Sequence, residues 1–230
     1  FIHGAMLIES GAYDCVVVGG SEALSRFHYN GFRSLLILDP DSCRPFDSSR
    51  AGLNLGEGAA FVVLERESHA LARGVQPLAT LSGWGNACDA FHQTASSEEG
   101  IGAVLAMQAA LRRAGLQPAD IGYINAHGTG TPNNDASELA AVRSVFPTLP
   151  PLSSTKSATG HTTSASGSVE AVISLLALQH HFLPANLHWS SAMDEDFTPV
   201  LVPTPAPQLR HILCNAFAFG GNDTALVFSQ

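Results

Sequence analysis

The sequence is poor in charge, and positive charge is especially scarce. Only 13% of the 230 residues are charged, eleven are Lys or Arg, and Lys156 is the single lysine. The formal net charge is -9. Proteins that bind nucleic acid neutralise phosphates with clustered Lys and Arg side chains, whereas these basic residues are scattered along the chain. We therefore expect no nucleic-acid partner.

Closely spaced cysteines and long apolar runs are also missing. Cys15, Cys43, Cys88 and Cys214 form no CxxC pair of the kind that binds zinc or exchanges disulfides. We interpret them as free thiols in a reducing compartment. No apolar run reaches the ~18 residues that cross a bilayer, and no signal peptide is visible. The sequence thus predicts a soluble, cytoplasmic protein that does not enter membranes.

Apolar runs of strand and helix length alternate along the chain. Strands are predicted at 14–22, 56–65, 78–84, 121–126, 212–216 and 224–228, and helices at 1–10, 68–73, 97–113, 132–146 and 169–181, with a loop over 23–50. Continuous apolar strands such as 14–22 are typical of sheets covered on both faces. We therefore predict a layered α/β fold. The first helix has no capping residue before Phe1, so we expect the parent protein to continue in front of it.

Three loops combine reactive or aromatic residues with glycine and hydroxyl residues. They read His127-Gly-Thr-Gly-Thr-Pro, Ser154-Thr-Lys-Ser-Ala-Thr-Gly-His161 and Asn215-Ala-Phe-Ala-Phe-Gly-Gly221. Each adjoins a predicted strand end or helix start, where backbone N–H groups are free. A single histidine in such a loop is more often structural. Two of them favour a site that uses neutral N–H donors or proton transfer near pH 7.

These three loops, together with Pro45-Phe-Asp47 and Gly56-Glu-Gly58, resemble the β-ketoacyl-acyl-carrier-protein synthases of the thiolase superfamily. The resemblance covers the whole chain in the family's order. It implies a thiolase-like five-layered α-β-α-β-α sandwich made of two similar halves. On that plan, residues 1–74 are the end of the N-terminal half and residues 75–230 form the C-terminal half.

The resemblance implies a decarboxylative Claisen condensation of malonyl carrier protein with an acyl-cysteine enzyme, as in fatty acid or polyketide chain elongation, without a cofactor. His127 and His161 would hold the malonyl thioester oxygen. Lys156 would set the electrostatics of the two histidines, with Asp135 and Glu138 as its charge partners. The family's nucleophilic cysteine would precede Phe1, so we expect none of the four cysteines to be the nucleophile.

Further residues match supporting positions of the family. Phe219 matches a gating phenylalanine whose backbone N–H completes an oxyanion hole, and Gly220 and Gly221 let its loop move. Thr129 and Thr131 support the first histidine loop. The resemblance also leaves open whether a monovalent cation or a buried hydrogen-bond cluster occupies the positions of Asn125, Glu170 and Asn215.

The family's partners are acyl carrier protein, in acyl and malonyl forms, and a second synthase subunit in a homodimer or heterodimer. Because carrier protein is acidic, docking requires local positive charge on this acidic chain. The candidate docking residues are Arg26, Arg33, Arg44 and Arg66.

Three alternatives are weighed against a condensing enzyme. A non-catalytic chain-length-factor subunit keeps the fold but often loses one or more of the residues that match His127, Lys156 and His161. A thiolase would carry a second cysteine where this chain has Phe219-Gly-Gly. A metal hydrolase is disfavoured because the histidines form no HxH or HxxxH pair.

Overall fold

The computed structural model describes all 230 residues, Phe1–Gln230. The helices are α1 (Ile2–Glu9), α2 (Arg26–Ser34), α3 (Glu67–Ala72), α4 (Ile101–Ala114), α5 (Pro132–Val145), α6 (Lys156–Thr159) and α7 (Ser166–His180). The strands are β1 (Cys15–Glu22), β2 (Gly58–Glu65), β3 (Thr80–Cys88), β4 (Tyr123–Asn125), β5 (Leu152–Ser153), β6 (Phe182–Leu183), β7 (Thr204–Pro205), β8 (His211–Ala218) and β9 (Asn222–Ser229). None of the helices combines the length and apolar character needed to cross a bilayer.

A five-stranded mixed sheet with the order β3-β9-β8-β4-β5 forms the centre of the molecule. The strand β9 pairs antiparallel with both β3 and β8, and the predicted hairpin between β8 and β9 is confirmed. The strand β4 runs parallel to both of its neighbours, β5 and β8. Three adjacent strands therefore end at the same edge of the sheet.

The two faces of this sheet pack against different helix layers. Because side chains alternate along a strand, Leu213 joins the core formed with α4 and α5, whereas Ile212 joins the core formed with α7. Helix α7 also packs against the second sheet, in which β1 and β2 pair antiparallel. Helix α1 lies on the same side of that sheet. The order of layers is thus helices, five-stranded sheet, helices, two-stranded sheet.

The structure corrects three details of the predicted elements. The strand over 14–22 is not covered on both faces: alternate residues of β1 and β2, such as Val17 and Phe61, are exposed, because α1 and α7 lie against one face only. Part of the predicted loop over 23–50 is the helix α2, which has an N-cap at Ser25. Helix α4 begins at Ile101 because Gly100 has a left-handed φ of 61°.

Two glycines let β3 approach α4 closely. A Cβ on Gly83 would lie 2.2 Å from the carbonyl oxygen of Ala110, and a Cβ on Gly85 would lie 2.0 Å from that of Ala106. Both contacts are with helix backbone, which cannot rotate away as a side chain can. The absence of side chains on these glycines therefore sets the distance between the central sheet and its outer helix.

The substitution Gly85→Ala is expected to destabilise the protein by about 2 kcal/mol, because α4 must shift to admit the methyl group. Urea unfolding would measure this loss. The matched control is Gly31→Ala in the exposed helix α2, where a Cβ meets nothing within 4 Å. That change should raise stability by up to about 1 kcal/mol through helix propensity. Equal midpoints for the two variants would contradict the packing argument.

Candidate active site

Three loops of chemical interest follow the carboxyl ends of three parallel neighbouring strands. His127 comes after β4, Lys156 comes after β5, and Phe219 comes after β8. Parallel strands bring their carboxyl ends to one sheet edge, which is where open α/β sheets bind ligands. The topology therefore assembles segments that lie far apart in the sequence.

Lys156 is a buried charge at this sheet edge, and it contacts both Glu170 and His127. Its side chain is 1% exposed, and its ammonium forms an ion pair with the Glu170 carboxylate. It also donates to the carbonyl oxygen of His127 at 2.6 Å and lies 3.2 Å from His127 Nδ1. An ammonium can only donate, so Nδ1 of His127 accepts and the ring proton is on Nε2.

His161 is held in the same tautomer by a different group. Its backbone pairs with the segment before β2, since its N–H donates to the Asn54 carbonyl at 2.7 Å and its carbonyl accepts from Gly56 at 3.0 Å. The backbone N–H of Thr163 donates to His161 Nδ1 at 3.2 Å. Because Nδ1 accepts, the His161 ring also carries its proton on Nε2.

The two imidazoles lie together and are uncharged. Their ring centroids are 5.3 Å apart, and the rings are nearly perpendicular at 84°. Burial and the charge of Lys156 lower the pKa of His161 to about 3. Burial, Lys156 and His161 lower the pKa of His127 well below its usual value. Both rings are therefore neutral N–H donors at physiological pH.

The expected charge partners of Lys156 were wrong. Its partner is Glu170 on α7, whereas Asp135 and Glu138 bind backbone N–H groups. Glu138 accepts from His127 at 2.9 Å and from Gly128 at 2.7 Å. Both acids lie in the first turns of α5, which turn them back toward the loop that precedes the helix.

Asp135 has a second function at the same loop. It accepts from Gly130 at 3.1 Å and from Phe46 at 2.8 Å, so it ties the histidine loop to the segment before β2. Thr131 caps α5 through Asn134, and its hydroxyl lies 2.9 Å from that of Thr129. These contacts fix the backbone that carries His127.

Sequence reasoning missed Glu170 as the partner of Lys156. Glu170 stands alone in the apolar run Val169-Glu-Ala-Val-Ile173 and is 2% exposed. A lone acid within a buried helix requires a compensating group. The only lysine, located fourteen residues before it, was the available signal.

The Phe219 loop is the exposed part of the site. The Phe219 ring is 48% exposed and stacks on Phe32 of α2, with ring centroids 6.1 Å apart. Gly220 and Gly221 follow with left-handed φ values of 82° and 74°. A Cβ on Gly221 would lie 1.8 Å from Oδ1 of Asp89, so this turn packs directly against the loop after β3.

Several buried oxygens beside the site have no hydrogen-bond partner. They include Asn125 Oδ1, Asn215 Oδ1 and Glu170 Oε2. Asn125 and Asn215 lie on the neighbouring strands β4 and β8, and Asn125 donates to the Glu170 carbonyl at 3.1 Å. Leaving such oxygens unpaired is costly. Amide and carboxylate oxygens are suitable ligands for a hard cation. These residues therefore fit a monovalent cation that would pair with their three free oxygens.

Two family models match the chain, one in each part of the sequence. The family "Beta-ketoacyl synthase, N-terminal domain" matches residues 1–70, and "Beta-ketoacyl synthase, C-terminal domain" matches residues 78–190. The chain belongs to the β-ketoacyl synthase family. The resemblance inferred from its motifs is thus confirmed, and similarity to solved ketosynthase structures confirms the expected thiolase-like fold.

Individual relatives agree with this assignment. The chain is 38% identical over 242 residues to 3-oxoacyl-[acyl-carrier-protein] synthase 2 of Vibrio cholerae, covering 99% of this chain and 58% of that protein. A ketosynthase in complex with its chain length factor from Xenorhabdus doucetiae is 41% identical with a TM-score of 0.89, covering 99% of this chain and 56% of that one. The ishigamide ketosynthase/chain length factor is 35% identical with a TM-score of 0.93, covering 99% and 57%. The chain therefore spans little more than half the length of these relatives.

A pH dependence of stability is expected from Asp223, which is 3% exposed at the start of β9. Burial, followed by the charges of Asp89 and Glu138, raises its pKa to about 7. Between pH about 4 and about 7 the folded chain keeps a proton that the unfolded chain has lost, so stability falls as pH rises. Asp223→Asn removes this effect and should stabilise the folded chain by about 2 kcal/mol at pH 8, with little gain at pH 4.5.

Urea unfolding at both pH values measures the difference. A residual slope is expected from Glu138, whose pKa burial also raises to about 7. The control is Asp196→Asn at an exposed position, which should give the same small change at both pH values. A pH-independent effect of Asp223→Asn would contradict the assignment.

Cation binding is tested by thermal unfolding in KCl or NaCl against choline chloride at equal ionic strength. A bound alkali ion raises the midpoint by mass action, and about 2.7 kcal/mol is expected at 100 times the dissociation constant. Asn215→Ser should remove the difference between the salts, whereas Asn86→Ser, outside the cluster, should keep it. Identical midpoints in all salts would mean that the cluster is closed by hydrogen bonds alone.

Proposed function

We propose that this synthase catalyses the decarboxylative Claisen condensation of malonyl carrier protein with an enzyme-bound acyl group. The observation that carries the proposal is the pair of buried, neutral imidazoles 5.3 Å apart, each with its proton fixed on Nε2 by a donor to Nδ1. Two N–H donors at one place match a reaction in which one oxygen gains negative charge.

The reaction begins with transfer of an acyl group to a cysteine thiolate. We propose that this cysteine lies on a segment that precedes Phe1, as the family resemblance implies. Within the chain, burial raises the pKa of Cys43 to about 12, and burial likewise raises that of Cys214. Buried thiols with raised pKa values are poor nucleophiles. We therefore assign neither of them to the acyl-transfer step.

Decarboxylation is the step assigned to the histidines. The bond between the malonyl carboxylate and C2 breaks, CO2 leaves, and the electron pair forms an enolate whose charge lies on the thioester oxygen. His127 and His161 donate their Nε2 protons to that oxygen as hydrogen bonds. Neutral donors suit this purpose, because each typically stabilises the charge by a few kcal/mol while keeping its own proton.

Condensation completes the cycle. The enolate carbon attacks the acyl thioester, the C–S bond to cysteine breaks, and the β-ketoacyl product leaves on the carrier protein with two more carbons. We assign Phe219 to the gate of this site, since it is exposed and follows β8 directly. Its backbone N–H is the proposed donor to the tetrahedral oxyanion.

Of the four arginines proposed as docking residues for an acidic carrier protein, two are already engaged in ion pairs within the chain. Arg44 pairs with Asp39 at 3.1 Å, and Arg66 pairs with Asp14 at 3.1 Å. Arg26 and Arg33 lie on α2 without an ion pair, and their helix contacts Phe219 through Phe32. We therefore propose α2 as the docking element.

We propose that a second synthase subunit, identical or related, completes the assembly in the cytoplasm. Two of the similar structures are ketosynthases with a chain length factor. A non-catalytic role of that kind is the second candidate for this chain. The joint presence of His127, Lys156 and His161 favours the catalytic role: Lys156 lies 3.2 Å from His127 Nδ1, and the two imidazole rings pack against each other.

The substitutions His127→Ala and His161→Ala should each lower CO2 release from malonyl carrier protein by about 10²–10³-fold, since each removes one oxyanion donor. Release of radiolabelled CO2 by the full-length synthase measures this. His180→Ala, at the exposed end of α7, is the control and should retain activity. Near-normal release by either active-site variant would refute the role of the pair.

A further inference from the structure

Glu22, the last residue of β1, forms a polar link to the second histidine loop. Its side chain is 9% exposed. One carboxylate oxygen, Oε2, accepts from the hydroxyl of Thr163 and from the backbone N–H of Ser164 at 3.2 Å. The other, Oε1, accepts from Ala23 at 3.2 Å and lies 3.0 Å from His28 Nδ1.

The turn that Glu22 holds is strained. Thr163 begins the 3-10 turn Thr163–Ala165 with a φ of +34°. A β-branched residue rarely adopts positive φ, and such a conformation costs about 1–3 kcal/mol unless its surroundings impose it. The two hydrogen bonds to Glu22 lie on Thr163 and the residue after it, so they supply that constraint.

The packing of β1 under this turn supports the same conclusion. A Cβ on Gly20 would lie 2.5 Å from the carbonyl oxygen of Ser164 and 3.2 Å from Cα of Ala165. The end of β1 therefore touches the backbone of the turn, which brings the Glu22 carboxylate within reach of Thr163.

The strained residue is the one that orients His161. The N–H of Thr163 donates to His161 Nδ1, and its direction depends on the backbone conformation of this turn. If Thr163 relaxed to negative φ, this N–H would point elsewhere. Nδ1 could then take the proton, and Nε2 would present a lone pair in place of a donor.

We propose that Glu22 is a positioning residue, which holds the Thr163–Ser164 turn and thereby fixes the Nε2–H tautomer of His161. It acts through the turn and touches no reacting atom. The proposal rests on the proposed function for its catalytic consequence, but the tautomer itself can be observed without substrate.

The tautomer is tested by NMR on the full-length synthase labelled with ¹⁵N-histidine, with the His161 signals assigned by difference from His161→Ala. The unsubstituted synthase should show His161 with a protonated Nε2 and an unprotonated Nδ1. Glu22→Ala should give a mixture of tautomers, and Thr163→Val, which removes only the hydroxyl link, should give an intermediate pattern. An unchanged His161 spectrum in both variants would overturn the proposal.

Two further variants distinguish a change in the conformation of the Thr163 turn from general destabilisation of the fold. Glycine adopts positive φ without cost, so Thr163→Gly added to Glu22→Ala should restore the Nε2–H tautomer. Glu22→Gln keeps one acceptor oxygen and should retain most of the Nε2–H tautomer of His161. The control is Glu57→Ala: Glu57 accepts from the backbone N–H of Leu24 at 3.1 Å and makes no hydrogen bond to the turn. Failure of both rescues would mean that Glu22 has only a structural role.

Kinetics provide the second measurement. Glu22→Ala should lower kcat for malonyl decarboxylation roughly tenfold, less than the 10²–10³-fold loss of an entire donor, with KM nearly unchanged. A shifted tautomer with unchanged kcat would refute the proposed role of His161 while leaving the positioning by Glu22 intact. A lowered kcat with an unchanged tautomer would refute the positioning.

Discussion

The site depends on the buried ammonium of Lys156. All three of its N–H groups have acceptors on the same edge of the sheet: the Glu170 carboxylate, the His127 carbonyl oxygen and His127 Nδ1. A buried charge is tolerated only when it is paired and fully hydrogen-bonded. The same contacts that make Lys156 tolerable also set the tautomer of His127, and its charge helps to keep both imidazoles neutral. The Lys156 ammonium therefore links the groups at this sheet edge, fixes the tautomer of His127 and helps to keep both imidazoles uncharged.

Much of this arrangement is visible in the sequence because it depends on local patterns. The strand at 121–126 predicts where His127 is delivered, and the glycine-rich turns mark the loops that must come close to other groups. The charge partner of Lys156, in contrast, cannot be predicted from local sequence patterns. Asp135 and Glu138 are near His127 in sequence, but the direction of α5 turns them toward the backbone. Glu170 reaches Lys156 only because α7 lies next to the loop that carries Lys156. This contact depends on the tertiary structure and is not visible in the local sequence.

The two-stranded sheet shows a second limit of local patterns. A continuous apolar strand indicates that both faces are suited to burial, but it does not say what covers them. In this chain one face of β1 and β2 is exposed, with Val17 at 65% and Val63 at 58%. The same strand β1 ends at Glu22, whose contacts with the Thr163 turn no periodicity could reveal. Composition predicts the strand, whereas the link from its end to His161 appears only in three dimensions.

The scarcity of positive charge gives these contacts a common explanation. With a single lysine and a net charge of -9, only some of the buried acids are paired with cations, as Glu170 is with Lys156 and Asp39 is with Arg44. Three buried acids accept backbone N–H groups of loops: Asp47 from Ser190, Asp135 from Gly130 and Glu138 from Gly128. The partly buried Glu22 accepts from Ser164 in the same way. Loops cannot satisfy these donors through regular pairing, and a buried carboxylate can accept several of them at once. The acids thus hold the backbone of these loops in place, including the two loops that carry His127 and His161.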